Sequence, residues 1–555
     1  MQAVSIVVNG DAPVAVAAAT PVGDLLPSVD DSGLPIIGAI VNNMVQPLYA
    51  PLLSDAKMEP ISIASRYGWQ IYRDSLCFFL AKVIHEQFPK VKWRIRSSIG
   101  PALFCSVESS TEDVIWDQSQ LLAIKQALQE IIDQNVAIVG ESFSYEDAVN
   151  ILKKNAQNDK LNLILHRNQP YVGLTRCGSF YELSKKPLVR SSGALKIFDL
   201  IFREEGFVLN VPDVNNPSEL SELAPHEYLL DVCREHMRWG QILGVTTVGQ
   251  LNKAIIDKRG HDFILTTEAL HDKKLSQIAD QIAGQKKPVH LVLVAGPSSA
   301  GKTTFAKRLV THLRVNGLRP TLISTDSYFV GDELNPRDSE GNLDYEHIES
   351  MDLPRLNSDL LQLMDGQSVR MRGFDFISKR GFDQEQCTKL DANGIIVMEG
   401  IHCLNPQLTS DIPKDDKFLI YVNALTQISV DVNNRISTTD ARVIRRIVRD
   451  HQFRNRPALK TLDLWSSVMR GEHRWIYPYQ HLADAVFNSA LDYELAVLKP
   501  LATALLNQVK PWDEAYLEAR RLEEFLYNFI SLSPETVPGD SILREYIGGS
   551  QLKYG

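Results

Sequence analysis

Leu291-Val292-Leu293-Val294-Ala295 runs directly into Gly296-Pro297-Ser298-Ser299-Ala300-Gly301-Lys302-Thr303, and that into Thr304-Phe305-Ala306-Lys307-Arg308-Leu309-Val310. The first run predicts a short buried strand and the last has the apolar spacing of a helix, while the segment between fills each fixed position of a phosphate-binding loop. Gly296 and Gly301 let the backbone fold back until its amides form an anion nest, and the dipole of the following helix adds to the attraction. Lys302 supplies a mobile charge for the β- and γ-phosphates, Thr303 a hydroxyl for Mg²⁺, and Thr304 completes the expected contact set. A nucleoside triphosphate is the ligand this arrangement predicts.

Working downstream, Thr321 to Ser324, Ile395 to Met398 and Phe418 to Val422 are short apolar runs separated by helical stretches such as Pro354 to Met364. That alternation predicts an α/β fold of the P-loop NTPase kind, a parallel sheet flanked by helices, with ligands at the carboxyl ends of its strands. Asp326 and Glu399 follow two of these runs. Both carboxylates are expected above the phosphate loop, where one can take a proton from an attacking hydroxyl and either can hold Mg²⁺.

The remainder of the 555 residues is long enough for further domains, and its 44% hydrophobic content is that of a globular chain. No apolar run reaches the ~18 residues that span a bilayer, so neither a membrane partner nor a signal segment is expected and a cytoplasmic location is. Cys77, Cys105, Cys177, Cys233, Cys387 and Cys403 form no CxxC pair, which fits a reducing compartment. A net charge of −10 gives no global pull towards nucleic acid.

Val4 to Val8 and Ile36 to Val41, next to the turn signals Asn9-Gly10 and Asn42-Asn43, predict a small β-rich module over residues 1–62. Residues 63–284 read as an α+β domain, with helices near 74–88, 121–135 and 145–157 and a strand at 91–96. Gln285-Lys286-Lys287-Pro288 reads as the hinge into a third domain, 285–555, whose stretch Trp512 to Ile530 predicts an amphipathic helix packed on that domain or on a second subunit, which leaves a homo-oligomer open. Arg442, Arg445, Arg446 and Arg449 recur at i, i+3, i+4 and i+7, so a helix gathers them on one face, offset by Asp440 and Asp450.

Gly296 to Thr303, Ile323-Ser-Thr-Asp326-Ser-Tyr-Phe, Asp344-Tyr345-Glu346-His347, Phe374-Asp-Phe-Ile-Ser378, Val397-Met-Glu399-Gly-Ile and the stretch Arg442 to Asp450 occur in an order that resembles the uridine kinase and phosphoribulokinase family. The resemblance covers about Pro288 to Leu506. It implies transfer of the ATP γ-phosphate to a primary hydroxyl of a small ribose-bearing acceptor, a nucleoside foremost, with Asp326 as catalytic base. It also implies that Glu346 holds the ribose 2′- and 3′-hydroxyls, with Tyr345 and His347 beside it, and that the arginine helix is a lid bringing Arg442 and Arg446 to ATP and Arg445 and Arg449 to the transition state. Phe374 and Lys379 stand where nucleoside-specific members carry a tyrosine and a histidine. Lys379-Arg380 equally suits a phosphate on the acceptor, which keeps a phosphoribulokinase-like sugar phosphate as an alternative.

Tyr72-Arg73-Asp-Ser-Leu-Cys77 and Leu174-Thr-Arg-Cys177-Gly-Ser, behind the small β module, resemble the ubiquitin-like (TGS) and editing-type domains of threonyl-tRNA synthetases. Arg73 and Cys77 occupy the positions of that family's HxxxH pair. Without the histidines no general base or metal site is expected there, and hydrolytic editing is not. Lys90, Lys92, Arg94 and Arg96 alternate along one strand and read as a solvated face, with RNA phosphate contact, and hence a nucleotide-gated RNA-binding regulator, the lesser alternative.

Overall fold

A computed structural model of the chain describes residues 3–108, 116–184, 186–223, 227–338, 341–375, 378–391 and 393–553. The side chain of Cys233 and residues Ser339, Glu340, Phe376 and Ile377 of the stretches quoted above lie outside the described ones.

The chain opens on a five-stranded sheet built from residues 3–8, 14–17, 36–41, 44–47 and 56–62, in which the first and last strands pair in parallel and the other pairs are antiparallel. Asn42 and Asn43 turn the central hairpin with φ of 48° and 59°, the left-handed values that asparagine tolerates best after glycine. The long helix α1 (Arg66–Gln87) follows at once. Ser65 caps it by accepting from the Gly68 amide at 3.0 Å, and a Cβ at Gly68 would lie 1.9 Å from the Ser62 carbonyl oxygen, so only glycine fits that close return of the chain. The sequence placed this helix about eight residues later, because Tyr67, Trp69 and Arg73 break the apolar spacing at its start. Trp69 and Arg73 pack on each other instead, the Arg73 guanidinium lying 4.3 Å from the Trp69 ring centre.

Three antiparallel sheets follow in the front half, one of residues 92–99, 102–108, 199–203 and 206–210, one of 139–144, 171–177 and 180–183, and a two-stranded one of 212–213 and 216–220. Its strand Lys92–Ile99 does not present a free basic face. Arg94 donates to the Thr246 carbonyl at 3.0 Å, Arg96 donates to Ser106 at 2.8 Å, and the Ile95 amide donates to the Val432 carbonyl at 3.1 Å.

The nucleotide-loop region is a five-stranded parallel sheet of β1 (Leu291–Ala295), β2 (Arg319–Ser324), β3 (Gly394–Glu399), β4 (Lys417–Asn423) and β5 (Ala485–Asn488), in the spatial order β2-β3-β1-β4-β5. The α/β class read from the alternating apolar runs is therefore the observed one. β1, flanked on both sides, is wholly buried, which is why its five residues are all apolar rather than alternating.

Helix α2 (Gly260–Ala283) precedes the sheet and belongs to its core rather than to the front half: Phe263, Ile264, Leu275, Ile278 and Ile282 join one apolar cluster with Val292, Phe305 and Ile420. His271 on α2 is fully buried and its Nε2 lies 3.0 Å from the Ala490 carbonyl. The same cluster takes in Leu152, Leu163, Val172 and Leu174, so the polar stretch at 285–288 links bodies that share a core and does not act as a free hinge. Next come α3 (Lys302–Val315), α4 (Leu353–Met364), α5 (Thr438–Arg454), α6 (Ala458–Trp475), α7 (Glu494–Leu506) and α8 (Tyr516–Leu526). α8 buries Leu517, Ala519, Leu522 and Leu526 and reaches the front half through Glu518, whose carboxylate meets Arg66 at 3.3 Å. Asn43 donates to the carbonyls of Pro511 and Asp513 just ahead of it. No helix among the described residues is long and apolar enough to cross a membrane.

Candidate active site

The phosphate loop is held from behind. Gly296 passes so close to β4 that a Cβ would lie 2.0 Å from the Val422 carbonyl oxygen, and Gly301 turns with φ of 83°. Ser299 adopts φ of 59°, a left-handed value a serine reaches only when its neighbours enforce it. The enforcing groups are visible: Arg442 Nε donates to the Ser298 carbonyl at 2.9 Å, and Arg445 and the Tyr546 hydroxyl donate to the Ser299 carbonyl at 3.3 and 3.0 Å. These bonds fix the Ser298 and Ser299 carbonyls from the α5 side, while the Ser298 amide is held by Glu472 at 2.9 Å, so the shape of the loop is set by protein groups behind it.

This changes the reading of the arginine helix. Arg442 and Arg445 are 1% and 0% exposed, and each is neutralised in the interior, Arg442 by Glu472 and Arg445 by Glu494. In place of the expected lid over ATP, α5 is anchored in the core through Ala441, Val443, Ile444, Ile447 and Val448. The arginine stripe is split: its buried half supports the loop, and of its four members Arg446 and Arg449 line the cleft, joined by Arg454 at the end of the helix.

These three are organised by Asp450, a fully buried carboxylate with Arg446 at 3.4, Arg449 at 3.0, Arg454 at 3.5 and Arg456 at 3.7 Å. Burial opposes its ionisation, but Arg449, Arg446 and Arg454 outweigh that and hold the carboxyl below its usual range. Four cations around one anion leave a positive surplus at the cleft mouth. Arg446 also donates to Ser298 Oγ at 2.8 Å.

The cleft itself has a volume of about 260 Å³ and is walled by the loop, Asp326, Glu399, Tyr345, Glu346, Phe374, Lys379, Arg446, Arg449 and Arg454. Lys302 donates to the Pro297 carbonyl at 3.1 Å, and Thr303 Oγ1 donates to Glu399 Oε1 at 3.3 Å, which also accepts from Ser324 at 3.1 Å. Asp326, in the short helical turn after β2, is open to the cleft yet ringed by protein. Loss of water pushes its carboxyl up, against Lys302, Arg454 and Arg449, which pull it down. Glu399 is pushed up to about 7 by burial and by Asp326 beside it. Two carboxylates crowded together with a hydroxyl form a hard-oxygen donor set, and a divalent cation relieves their repulsion, so these residues fit Mg²⁺.

Across the cleft Glu346 is pushed up to about 7, by burial first and by Glu472 second, and its Oε2 is buried without a hydrogen-bond partner. α6 makes room for it: a Cβ on Gly471 would lie 2.3 Å from the Glu346 Cβ. Tyr345 carries the Lys379 ammonium 4.7 Å over its ring and donates to Asp332 at 2.7 Å. Phe374 packs against Phe329 with ring centres 5.6 Å apart. His347 departs from the expected acceptor pocket, because its Nδ1 accepts from the Glu349 amide and its ring stacks edge-on to Trp475 at 4.5 Å, away from the cleft.

Four contributors escaped the sequence reading. Glu472, on α6, accepts from the Ser298 amide at 2.9 Å, and Phe329 and Asn335 line the acceptor end. The fourth, Glu545, comes from the C-terminal segment and accepts from the Thr304 hydroxyl at 2.7 Å. Nothing in its neighbourhood, Leu543-Arg544-Glu545-Tyr546, resembles a motif; only the apolar residues around it hint that the segment packs back.

Residues 291–496 match the family described as Phosphoribulokinase / Uridine kinase family, so the C-terminal half carries a kinase domain of that family. Uridine kinase of Halobacterium salinarum is 25% identical over 244 residues, 43% of this chain and 98% of its own length. A threonine–tRNA ligase of Syntrophotalea carbinolica is 26% identical over 166 residues of the N-terminal part, 30% of this chain and 26% of the ligase. Among solved structures, one described as a possible uridine kinase from Bacillus stearothermophilus is 18% identical, with a TM-score of 0.28, and covers 39% of this chain and 98% of its own.

Proposed function

We propose that this kinase transfers the γ-phosphate of ATP to the 5′-hydroxyl of a nucleoside, uridine or cytidine foremost. The observation that carries the reading is Glu346, a carboxylate with a buried, unpartnered oxygen facing the phosphate loop across a cleft of about 260 Å³. A buried acceptor without a donor is costly unless a ligand supplies one, and a vicinal diol supplies two O–H groups side by side. Pushed up to about 7, the Glu346 carboxyl is ionised in about half of the molecules at pH 7, and in that form both its oxygens accept.

In this reading Asp326 accepts the proton of the attacking hydroxyl. Its raised affinity for protons suits a base better than an ordinary aspartate would. Lys302, Arg446 and Arg449 stabilise charge on the transferring group, and Arg442 and Arg445 act at one remove by fixing the loop. Thr303, Asp326 and Glu399 would hold Mg²⁺, which neutralises phosphate charge when bound.

A second acceptor, a sugar phosphate, is favoured by one feature: Lys379 brings an ammonium to the acceptor end, where a nucleoside presents no charge. The deciding experiment gives γ-labelled ATP with uridine, cytidine, other nucleosides and pentose phosphates. Label on a nucleoside 5′-hydroxyl supports the first reading and label on a pentose phosphate the second; label released only as inorganic phosphate defeats both.

A further inference from the structure

A second cavity, larger than the cleft, lies away from the phosphate loop. It has a volume of about 650 Å³ and sits where the ubiquitin-like sheet, α1, the hairpin Ser429–Arg435 and α8 meet. That size is within the range of sites for nucleotide-sized molecules. Its charges do not balance. Of the acidic side chains lining it, Asp74 is taken by Lys186, Asp440 by Arg521, and Glu523 and Glu524 by Arg520.

Arg73, Arg167 and Arg435 are left over. Among the described residues none of the three has a carboxylate within ion-pair distance. Arg435 donates to the Ser98 hydroxyl and to the Ile436 carbonyl, Arg167 donates to the Asn528 side chain, and Arg73 lies over the Trp69 ring. The Nε atoms of Arg73 and Arg167 are buried with no acceptor. Burial, and the Arg73 guanidinium next to it, push Arg435 down to about 10, so the pair repels while remaining charged at neutral pH.

We propose that this cavity binds a phosphorylated metabolite of nucleotide size, its phosphate held between Arg73 and Arg435. Planar guanidiniums match phosphate oxygens in a bidentate fork, and a dianion answers both the surplus charge and the orphaned donors. A single carboxylate would offer half the charge. Tyr67 and Tyr527 in the wall provide aromatic surface for the rest of the molecule. Arg73 occupies a position at which the front half lacks the histidine of a hydrolytic pocket, so the site is one for binding and not for cleavage.

The cavity also touches the machinery of the phosphate loop. Arg435 stands two residues before Ser437, the cap of α5, and Asp440 in the first turn lines the wall; the same helix then carries Arg442 and Arg445 to the loop carbonyls. Occupancy is therefore positioned to alter nucleotide binding through one rigid element. The binding claim itself stands on the cavity and does not depend on the acceptor named above.

The test is calorimetric titration of the full chain carrying Lys302→Ala, which removes the cation of the phosphate loop, with uridine 5′-monophosphate, ribose 5-phosphate and pyrophosphate as probes and uridine as the uncharged control. At least one phosphorylated probe is expected to bind with a Kd below about 1 mM, and any uridine taken up at the acceptor end is expected to be insensitive to substitutions at Arg73 and Arg435. Adding Arg435→Gln or Arg73→Gln should weaken that binding by about tenfold or more. Binding of no phosphorylated probe, or binding indifferent to both substitutions, overturns the proposal. Should Arg435→Gln not fold, Arg73→Gln decides alone.

Discussion

Glu545 Oε2 accepts from both the main-chain amide and the hydroxyl of Thr304, at 3.2 and 2.7 Å. Thr304 lies in the first turn of α3, where amides without helical partners gather positive potential, so the C-terminal segment places an anion where a phosphate of the nucleotide is expected. The carboxylate and the triphosphate compete for one amide. Glu545→Gln is expected to tighten binding of a non-hydrolysable ATP analogue by about three- to tenfold, since a helix N-terminus discriminates between charged and neutral partners by up to ~1 kcal/mol or slightly more. Weaker binding, measured by fluorescence titration, would show instead that Glu545 holds the loop in shape.

The split in the α5 arginines predicts two kinds of defect. Arg445→Met leaves Glu494 buried and uncompensated, a loss of about 3–5 kcal/mol that thermal melting should register as a large drop. Arg449→Ala removes a cleft cation whose side chain already touches solvent, and should lower kcat by about tenfold or more with little change in melting temperature. Equal melting losses in both variants would refute the division.

Much of this arrangement is legible in the sequence, for definite physical reasons. β1, β3 and β4 and the loop can be read because buried parallel strands are apolar runs and a phosphate nest tolerates few residue types. The fate of Arg442 and Arg445 cannot, because an i, i+3, i+4 stripe reports which residues share a face and not what that face meets. Glu472 and Glu494, the carboxylates that make burial of those arginines tolerable, lie 30 and 49 residues further on. His347 shows the same limit: its neighbours in sequence point into the cleft, and only Trp475, more than a hundred residues away, draws it aside.

Protonation of the cleft carboxylates sets a pH dependence. Glu399 and Glu346 are each pushed up to about 7, above the value near 4.5 of a free glutamate, so the folded state binds protons more tightly than the unfolded one. Their contribution to stability is then full below about 4.5 and is lost as pH rises through about 7. Activity runs the opposite way, because Asp326 and Glu399 serve as base and cation ligand only when ionised. The rate is expected to fall on the acid side of about 7, and in Glu399→Gln the loss of stability between pH 6 and 8 should shrink; melting curves and initial rates across that range check both signs.

Glu346→Gln keeps the shape of the acceptor end but removes the charge that receives the diol. The acceptor KM should rise by about tenfold or more while the ATP KM stays within about twofold, the loss expected when a charge-assisted hydrogen bond becomes a neutral one. A 2′-deoxynucleoside should already be a poor acceptor for the unaltered protein and gain little further penalty in the variant. If both acceptors suffer equally, Glu346 is not the group that reads the ribose.

Lys379 decides between the two acceptors. Its backbone sits at φ of 58°, an uncommon conformation for lysine, and this aims its ammonium over Tyr345 at the acceptor end. If the natural acceptor is neutral, that cation serves mainly to hold the Tyr345 ring, and Lys379→Ala should change kcat/KM by no more than about threefold, the range of an exposed cation–π contact. If the acceptor carries a phosphate, the same substitution removes a charge-assisted bond and should raise KM by about tenfold or more, with a salt dependence that disappears along with the lysine. Comparing KM at low and high ionic strength for the lysine and alanine forms separates the cases for any acceptor that turns over, because only a charged ligand makes the lysine form sensitive to salt.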